Sequence, residues 1–119
     1  MDFAPTVLSK AREYNALYNQ FRWQVPVAFN IGVAVCDVWA ERDPRRTALI
    51  HVLPDGRSEN VSYGWLREKS NRLANTLREH GIKRGDRVAI LLPQSPEVAA
   101  IHIAVYKLCL LYTSDAADE

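Results

Sequence analysis

Glycine is sparse and scattered in this sequence: Gly32, Gly56, Gly64, Gly81 and Gly85 each stand apart, and no two make a Gly-X-Gly pair. Nucleotide phosphates are usually cradled by the backbone amides of a glycine-rich loop between a strand and a helix, and no such loop is present. Cysteine is scarcer. Cys36 and Cys109 fit no metal or thioredoxin-like spacing, which points to a reducing compartment with no required disulfide. Long apolar runs are also missing. The longest, Val98 to Tyr106, is interrupted by His102 and is too short to span a bilayer, and the amino terminus, with Asp2, lacks the apolar core of a signal peptide. A cytoplasmic protein with no membrane span is expected.

Nor is there a strong charge of one sign. The formal charge is +1. Asp115, Asp118 and Glu119 crowd the end of the chain, so residues 1–108 carry fifteen bases against eleven acids. That excess is spread out, whereas nucleic-acid surfaces cluster Lys and Arg on one face, so no nucleic-acid partner is expected. What is there is ordinary globular composition, 48% apolar and 24% charged in 119 residues, enough for one domain with a core.

Along the chain, Val7, Leu8, Ala11, Tyr14, Leu17, Tyr18 and Phe21 recur at helical spacing and predict an amino-terminal arm that packs on a larger body. After Pro26, Asn30 is a candidate N-cap for a helix with Ile31, Ala34, Val35, Val38 and Trp39 on one face, ended by Pro44. Thr47 to Leu53 reads as a strand, Pro54-Asp55-Gly56 as a turn, and Asn60 to Tyr63 as a second strand. Ser62 can cap a long helix with Leu66, Leu73, Ala74 and Leu77 inward, a Glu68 and Arg72 pair outward, and Gly81 just past its end. Lys83-Arg84-Gly85-Asp86 is a turn. Val88 to Leu92 is an unbroken apolar run of the kind buried on both faces of a parallel sheet. Ser95-Pro96-Glu97 then opens a helix that reaches about Lys107. The order is that of an α/β protein with an incomplete, mostly parallel sheet flanked by helices, a βαβ unit and the start of another, with Leu108 to Tyr112 placed for the next strand.

Few residues invite chemistry. His51 lies within a strand, His80 at a helix end where its charge complements the dipole, and His102 between Val98 and Tyr106 with no carboxylate one turn away to orient it. All three read as structural. Cys36, beside Asp37, has no basic neighbour to form a thiolate and reads as core. Lys83 and Arg84 could hold a phosphate, but a helix cap and a turn explain them with less. Gln94 and Ser95 follow the carboxyl end of a presumed parallel strand, where α/β ligands commonly bind, and are weak candidates. No catalytic, cofactor-binding or metal-binding residue is assigned.

The end of the chain is unlike the rest. Reverse translation of Cys109–Glu119 permits the DNA of a transposon-based sequencing adapter, so residues 109–119 are expected to be a non-native tail. The alternative is a genuine edge strand over Leu110 to Thr113 followed by an acidic end.

Taken in order, Thr47-Ala48-Leu49-Ile50, Ser62-Tyr63-Gly64-Trp65-Leu66, Ser70 to Leu77, Gly81, Arg84 to Pro93, Ser95-Pro96-Glu97 and Tyr106-Lys107-Leu108 resemble the start of adenylate-forming acyl-CoA synthetases. Phe21-Arg22-Trp23, Phe29-Asn30-Ile31 and Cys36 to Ala40 resemble the branch that activates acetate and medium-chain acids. The resemblance covers residues 14 to 108. It departs at Trp65, where the family often has an acid that completes a capping box, and after Leu108, where the family continues with a glycine and here Cys109 stands.

The resemblance implies a parent enzyme that uses ATP, magnesium and coenzyme A to convert a small carboxylic acid to an acyl adenylate and then a thioester. Its phosphate loop, ribose-binding residues and catalytic lysine all fall beyond residue 108. The chain is therefore expected to be a truncated, inactive piece: an arm over residues 1–28, part of an AMP-binding domain over 29–108, and the tail. An incomplete sheet with an open edge at Val88 would make it prone to aggregate. The alternatives are a fragment of a related adenylating enzyme, such as an aryl-acid ligase or peptide-synthetase adenylation domain, and a standalone protein-interaction module.

Overall fold

The computed structural model describes residues 12–23 and 26–113, with side chains as far as Leu110. The predicted arm helix is thus seen only from its middle. Helix α1, Tyr14–Gln20, buries no residue, and Tyr14 and Tyr18, one turn apart, stack with ring centroids 6.1 Å apart. An aromatic face this bare has nothing to pack against among the described residues.

Asn30 starts the next helix as its position predicts, its Oδ1 accepting a hydrogen bond from the Val33 amide at 3.1 Å. The helix then widens into a π-helical stretch, Val33–Asp37, before it continues as α2, Val38–Arg42. Hydrophobic spacing carries no sign of such a bulge. Strands β1, Thr47–Val52, and β2, Ser58–Ser62, form the antiparallel hairpin. Its turn closes with Leu53 N–H to Arg57 O at 2.8 Å, while Gly56 at φ 85° takes a conformation in which a side chain would be strained.

The Ser62 Oγ accepts from the Trp65 amide at 3.2 Å and so caps α3, Tyr63–Glu79. Leu66, Ser70 and Ala74 recur every four residues and form its buried stripe. The exposed side carries the Glu68 and Arg72 ion pair at 2.6 Å. Past the end, Gly81 adopts φ 84° while Gly81 N–H and Ile82 N–H reach back to Arg78 O and Leu77 O, the paired bonds of a Schellman cap. Lys83 to Asp86 is a turn closed in both directions: Asp86 N–H donates to Lys83 O, and Lys83 N–H donates to the Asp86 carboxylate.

Strand β3 is short, Arg87–Ala89, and pairs in parallel with β4, Leu111–Thr113. Helix α4, Pro96–Lys107, connects them, so the βαβ unit is β3–α4–β4. The earlier pattern of strand, helix, strand through α3 does not close: β2 and β3 lie in separate two-stranded sheets. The α/β class and partial sheet agree with expectation, but half of the strand pairing is antiparallel. The apolar run past Ala89 has no ladder partner and leaves Leu91 85% exposed, so the burial its composition calls for is not supplied by the described residues.

The core lies where α3, α4 and the π-helical stretch meet. Cys36, Leu66, Ala100 and Ile103 form its centre, with Ala48, Leu49, Val61, Trp65 and Ala99 packed around it. Small residues predominate. Ala74, Ala100 and Ala104 let α3 and α4 approach closely, and Ala104 and Val105 are fully buried.

Candidate functional site

The helices meet at a polar junction built around Lys107. Its ammonium lies 2.6 Å from Asp37 Oδ1, 2.7 Å from Asn71 Oδ1 and 3.0 Å from Ser70 Oγ. The ammonium thus donates to two acceptors on α3 and faces a carboxylate from the π-helical stretch. Ser70, with no solvent exposure, passes the chain on by donating to Arg67 O at 3.1 Å. The contact with Asp37 is a charge contact, because Oδ1 is buried and takes no well-angled hydrogen bond. Asn30 fastens the same place from the other side, its Nδ2 donating to Lys107 O at 2.9 Å. Gly32 fits against Lys107 so closely that a Cβ there would fall 2.6 Å from Lys107 Cγ and 2.8 Å from Ile103 O.

This junction holds the fold and has no open face for a substrate. The Lys107 side chain is 9% exposed and its ammonium is taken up by Asp37, Ser70 and Asn71. Sequence reasoning identified Lys107 as a helix end and part of a family pattern, and Asn30 as a cap within another such pattern, but paired neither with the other. A lysine at the last position of an apolar helix could have raised the question of a buried partner, but nothing in the spacing links it to an aspartate seventy positions earlier.

A second feature is open. Between β1 and the start of α4 runs a cleft of about 450 Å³ lined by Leu49, Ile50, His51, Val52, Gln94 and Ser95, with α4 residues from Pro96 to His102 as its far wall. The structure therefore brings together four sequence candidates: His51, His102, Gln94 and Ser95. A smaller groove shares His51 and continues past Glu59, Trp65 and Glu97. The other candidates lie elsewhere. His80 Nδ1 sits 2.8 Å from Thr76 O at the end of α3, and Lys83 and Arg84 belong to the turn.

The electrostatics of the cleft are mild. Helix α4 begins at Pro96 as expected, but the Ser95 hydroxyl does not cap it. That hydroxyl instead bonds the Glu97 carboxylate and, ahead of the residue's own amide and the charges of His51 and Lys69, holds Glu97 below the usual carboxylate range. His102 lies against Tyr106 at a ring separation of 6.2 Å. Cys36 is fully buried and burial pushes its thiol up, the opposite of an activated nucleophile. Among the described residues no three His, Cys, Asp or Glu side chains gather to hold a metal ion, and no helix is long and apolar enough to cross a membrane.

A hairpin, a capped helix and a βαβ unit in this order agree with the comparison to known proteins. The chain belongs to the family of AMP-binding enzymes, whose model matches residues 36–113. Within it, the relatives are acyl-CoA synthetases. The human acetyl-coenzyme A synthetase 2-like, mitochondrial, is 36% identical over 92 residues, 76% of this chain and 13% of its own length. The acetyl-coenzyme A synthetase of Escherichia coli is 35% identical over 88 residues, 73% of this chain and 14% of its own. Among solved structures, an acyl-CoA synthetase of Brucella canis superposes with a TM-score of 0.73 at 27% identity over 83% of this chain and 20% of that one. The acetoacetyl-CoA synthetase of Streptomyces lividans gives 0.68 at 28% identity over 72% and 13%. The chain thus spans between about an eighth and a fifth of these four proteins.

Proposed function

We propose that this chain is an amino-terminal part of the adenylation domain of an AMP-forming acid–CoA ligase, which turns ATP, a small carboxylic acid and coenzyme A into acyl-CoA, AMP and pyrophosphate. The family match over residues 36–113, falling on the hairpin, α3 and the β3–α4–β4 unit, carries this reading. Every residue with a filled role in the described part is structural: Ser62 caps, Gly81 terminates, and Lys107 joins helices. The segment is scaffold, and the groups that hold ATP, magnesium and coenzyme A belong to the rest of the enzyme. The parent works in the cytoplasm. Residues 109–119 are read as adapter read-through on the codon match alone, since the family match itself runs on to residue 113 and Leu111–Thr113 occupy the strand position beside β3. A different codon choice in the source DNA would remove that part of the proposal.

Acid-dependent ATP–pyrophosphate exchange tests the whole. The purified chain is expected to show none with acetate or a medium-chain acid. A chimera of the Escherichia coli acetyl-coenzyme A synthetase carrying residues 36–108 of this chain in place of its own matched segment is expected to retain exchange. Exchange by the chain alone, or a folded chimera without it, would refute the assignment.

A further inference from the structure

The tip of the first hairpin carries a peptide bond with chemistry of its own. Asp55 is followed by Gly56, and no other aspartate or asparagine in the chain precedes a glycine. With no side chain on the following residue, the Gly56 nitrogen is free of the crowding that keeps other backbone nitrogens from an aspartate's own carboxyl carbon. The reaction open to such a pair is a dehydration followed by a hydration. The Gly56 nitrogen bonds Asp55 Cγ, the carboxyl hydroxyl leaves as water with the proton of the Gly56 amide, and a five-membered succinimide closes. Water then opens the ring at either carbonyl. Opening at Cγ restores aspartate; opening at the backbone carbon gives isoaspartate, in which the chain runs through Cβ and Cγ and the former backbone carbonyl is a free carboxylate. Nothing is oxidised or reduced.

The turn leaves this bond open sterically. The Asp55 side chain is 50% exposed, and a Cβ placed on Gly56 would meet nothing within 4 Å. What restrains it is polar. Asp55 Oδ1 accepts from Arg57 N–H at 3.0 Å and Oδ2 from Arg57 Nε at 2.6 Å, so both oxygens are held toward residue 57, and ring closure has to break these bonds. The same two bonds, the backbone amide first, lower the Asp55 pKa and keep the group ionised, whereas loss of water needs the protonated carboxyl. The nucleophile is tied as well: Gly56 N–H donates to Leu53 O at 2.9 Å and cannot shed its proton until the turn opens.

We propose that Asp55–Gly56 is a modification site, where the chain rearranges to isoaspartate through a succinimide, and that the native turn, latched by Arg57, holds the reaction off until the hairpin opens. The product adds one carbon to the backbone between Asp55 and Gly56. Loop length sets hairpin register, and this loop is closed by Leu53 N–H to Arg57 O at 2.8 Å beside the Val52 and Ser58 pair. Ala48 and Leu49 of the same strand pack on the core, so a lengthened loop loosens more than the tip. The mark therefore records time that the hairpin has spent open. Its free carboxylate is a substrate for one class of enzyme, the carboxyl methyltransferases that recognise isoaspartyl residues.

The test reads isoaspartate at position 55 in the 119-residue chain aged at neutral pH, by peptide mapping and by methyl transfer from S-adenosylmethionine with an isoaspartyl methyltransferase as probe. Conversion is expected to be about tenfold or more faster in guanidinium chloride than in buffer, because opening the turn gives up hydrogen bonds to a charged group. Arg57→Ala in buffer is expected to convert several times faster than the unsubstituted chain. In a free peptide of residues 52–59, too short to hold the turn, the same substitution is expected to change the rate by less than about twofold. Should Arg57→Ala unfold the chain, Arg57→Lys, which keeps the amide and loses the guanidinium, is read in its place and is expected to convert faster than the unsubstituted chain. Equal rates in buffer and denaturant, or a folded Arg57 variant no faster than the unsubstituted chain, would overturn the latch. Methyl transfer that maps to another residue, or that persists undiminished in Asp55→Glu, would overturn the site.

Discussion

Cys109 is the one described residue other than glycine with a positive φ, 55°. Leu110 N–H to Val105 O and Cys109 N–H to Tyr106 O place it at the left-handed position of a Schellman cap on α4, where glycine costs nothing sterically. The resemblance noted in the sequence puts a glycine here, and the backbone independently calls for one. Cys109→Gly is expected to stabilise the chain by about 0.5–1 kcal/mol, read as a raised urea midpoint with unchanged slope. The two thiols differ in reach as well, Cys109 being exposed and Cys36 buried with its pKa raised. A thiol reagent at neutral pH is expected to label one cysteine per native chain rapidly and two per chain in denaturant. Asp55 gives a pH signature: the Arg57 amide and guanidinium bond its carboxylate and lower its pKa. A lowered folded pKa means that the turn is favoured above the ordinary carboxylate range and loses that support as pH falls through the folded value. In an NMR titration the Asp55 carboxyl is expected to titrate below a free aspartate, and Arg57→Ala to return it only part of the way, because the backbone amide, the larger cause, remains.

At the scale of elements, the capped termini carry local information and were readable. Ser62→Ala leaves the Trp65 amide without its acceptor and is expected to cost about 1 kcal/mol, measurable by thermal denaturation. That cap, the Pro54 to Gly56 turn, the Gly81 terminus and the α4 start at Pro96 each depend on two to four neighbouring residues, which is why the sequence reveals them. The π-helical stretch and the split into two sheets depend on distant contacts. Nothing in Val33 to Asp37 marks a widened turn. The run from Val88 to Leu92 reads as a strand covered on both faces, yet only Arg87–Ala89 finds a ladder and Leu91 and Leu92 stay exposed, because a strand extends as far as its partner does. The cleft was legible only as parts. Gln94 and Ser95 followed from the position after a parallel strand, but their convergence with His51 is set by how the hairpin lies against α4.

For the molecule as a whole, the Lys107 junction does what no single element can: it ties the π-helical stretch, α3 and α4 into one body. Lys107→Met removes the ammonium and leaves the Asp37 carboxylate partly buried and unpaired, with an expected loss of about 2–4 kcal/mol in urea unfolding. Adding Asp37→Leu, which withdraws the stranded charge, is expected to recover part of that loss. Without such recovery the ion pair would not be the source of the effect.

The span of this junction also orders events in time. Asn30 and its partner Lys107 are separated by 77 positions, so the start of the first core helix has no docking site until nearly all of the described chain exists. At roughly 5–20 residues per second on a ribosome, Asn30 waits about 4–15 s for its partner to be synthesised. Throughout that interval the hairpin and α3, whose contacts are local, can form and cover Cys36 on the side of Leu66, while its side toward Ala100 and Ile103 stays open and Asp37 has no ammonium partner. The last helix made completes the core around the first core helix, so the nascent chain is more open to proteases and oxidants until α4 emerges.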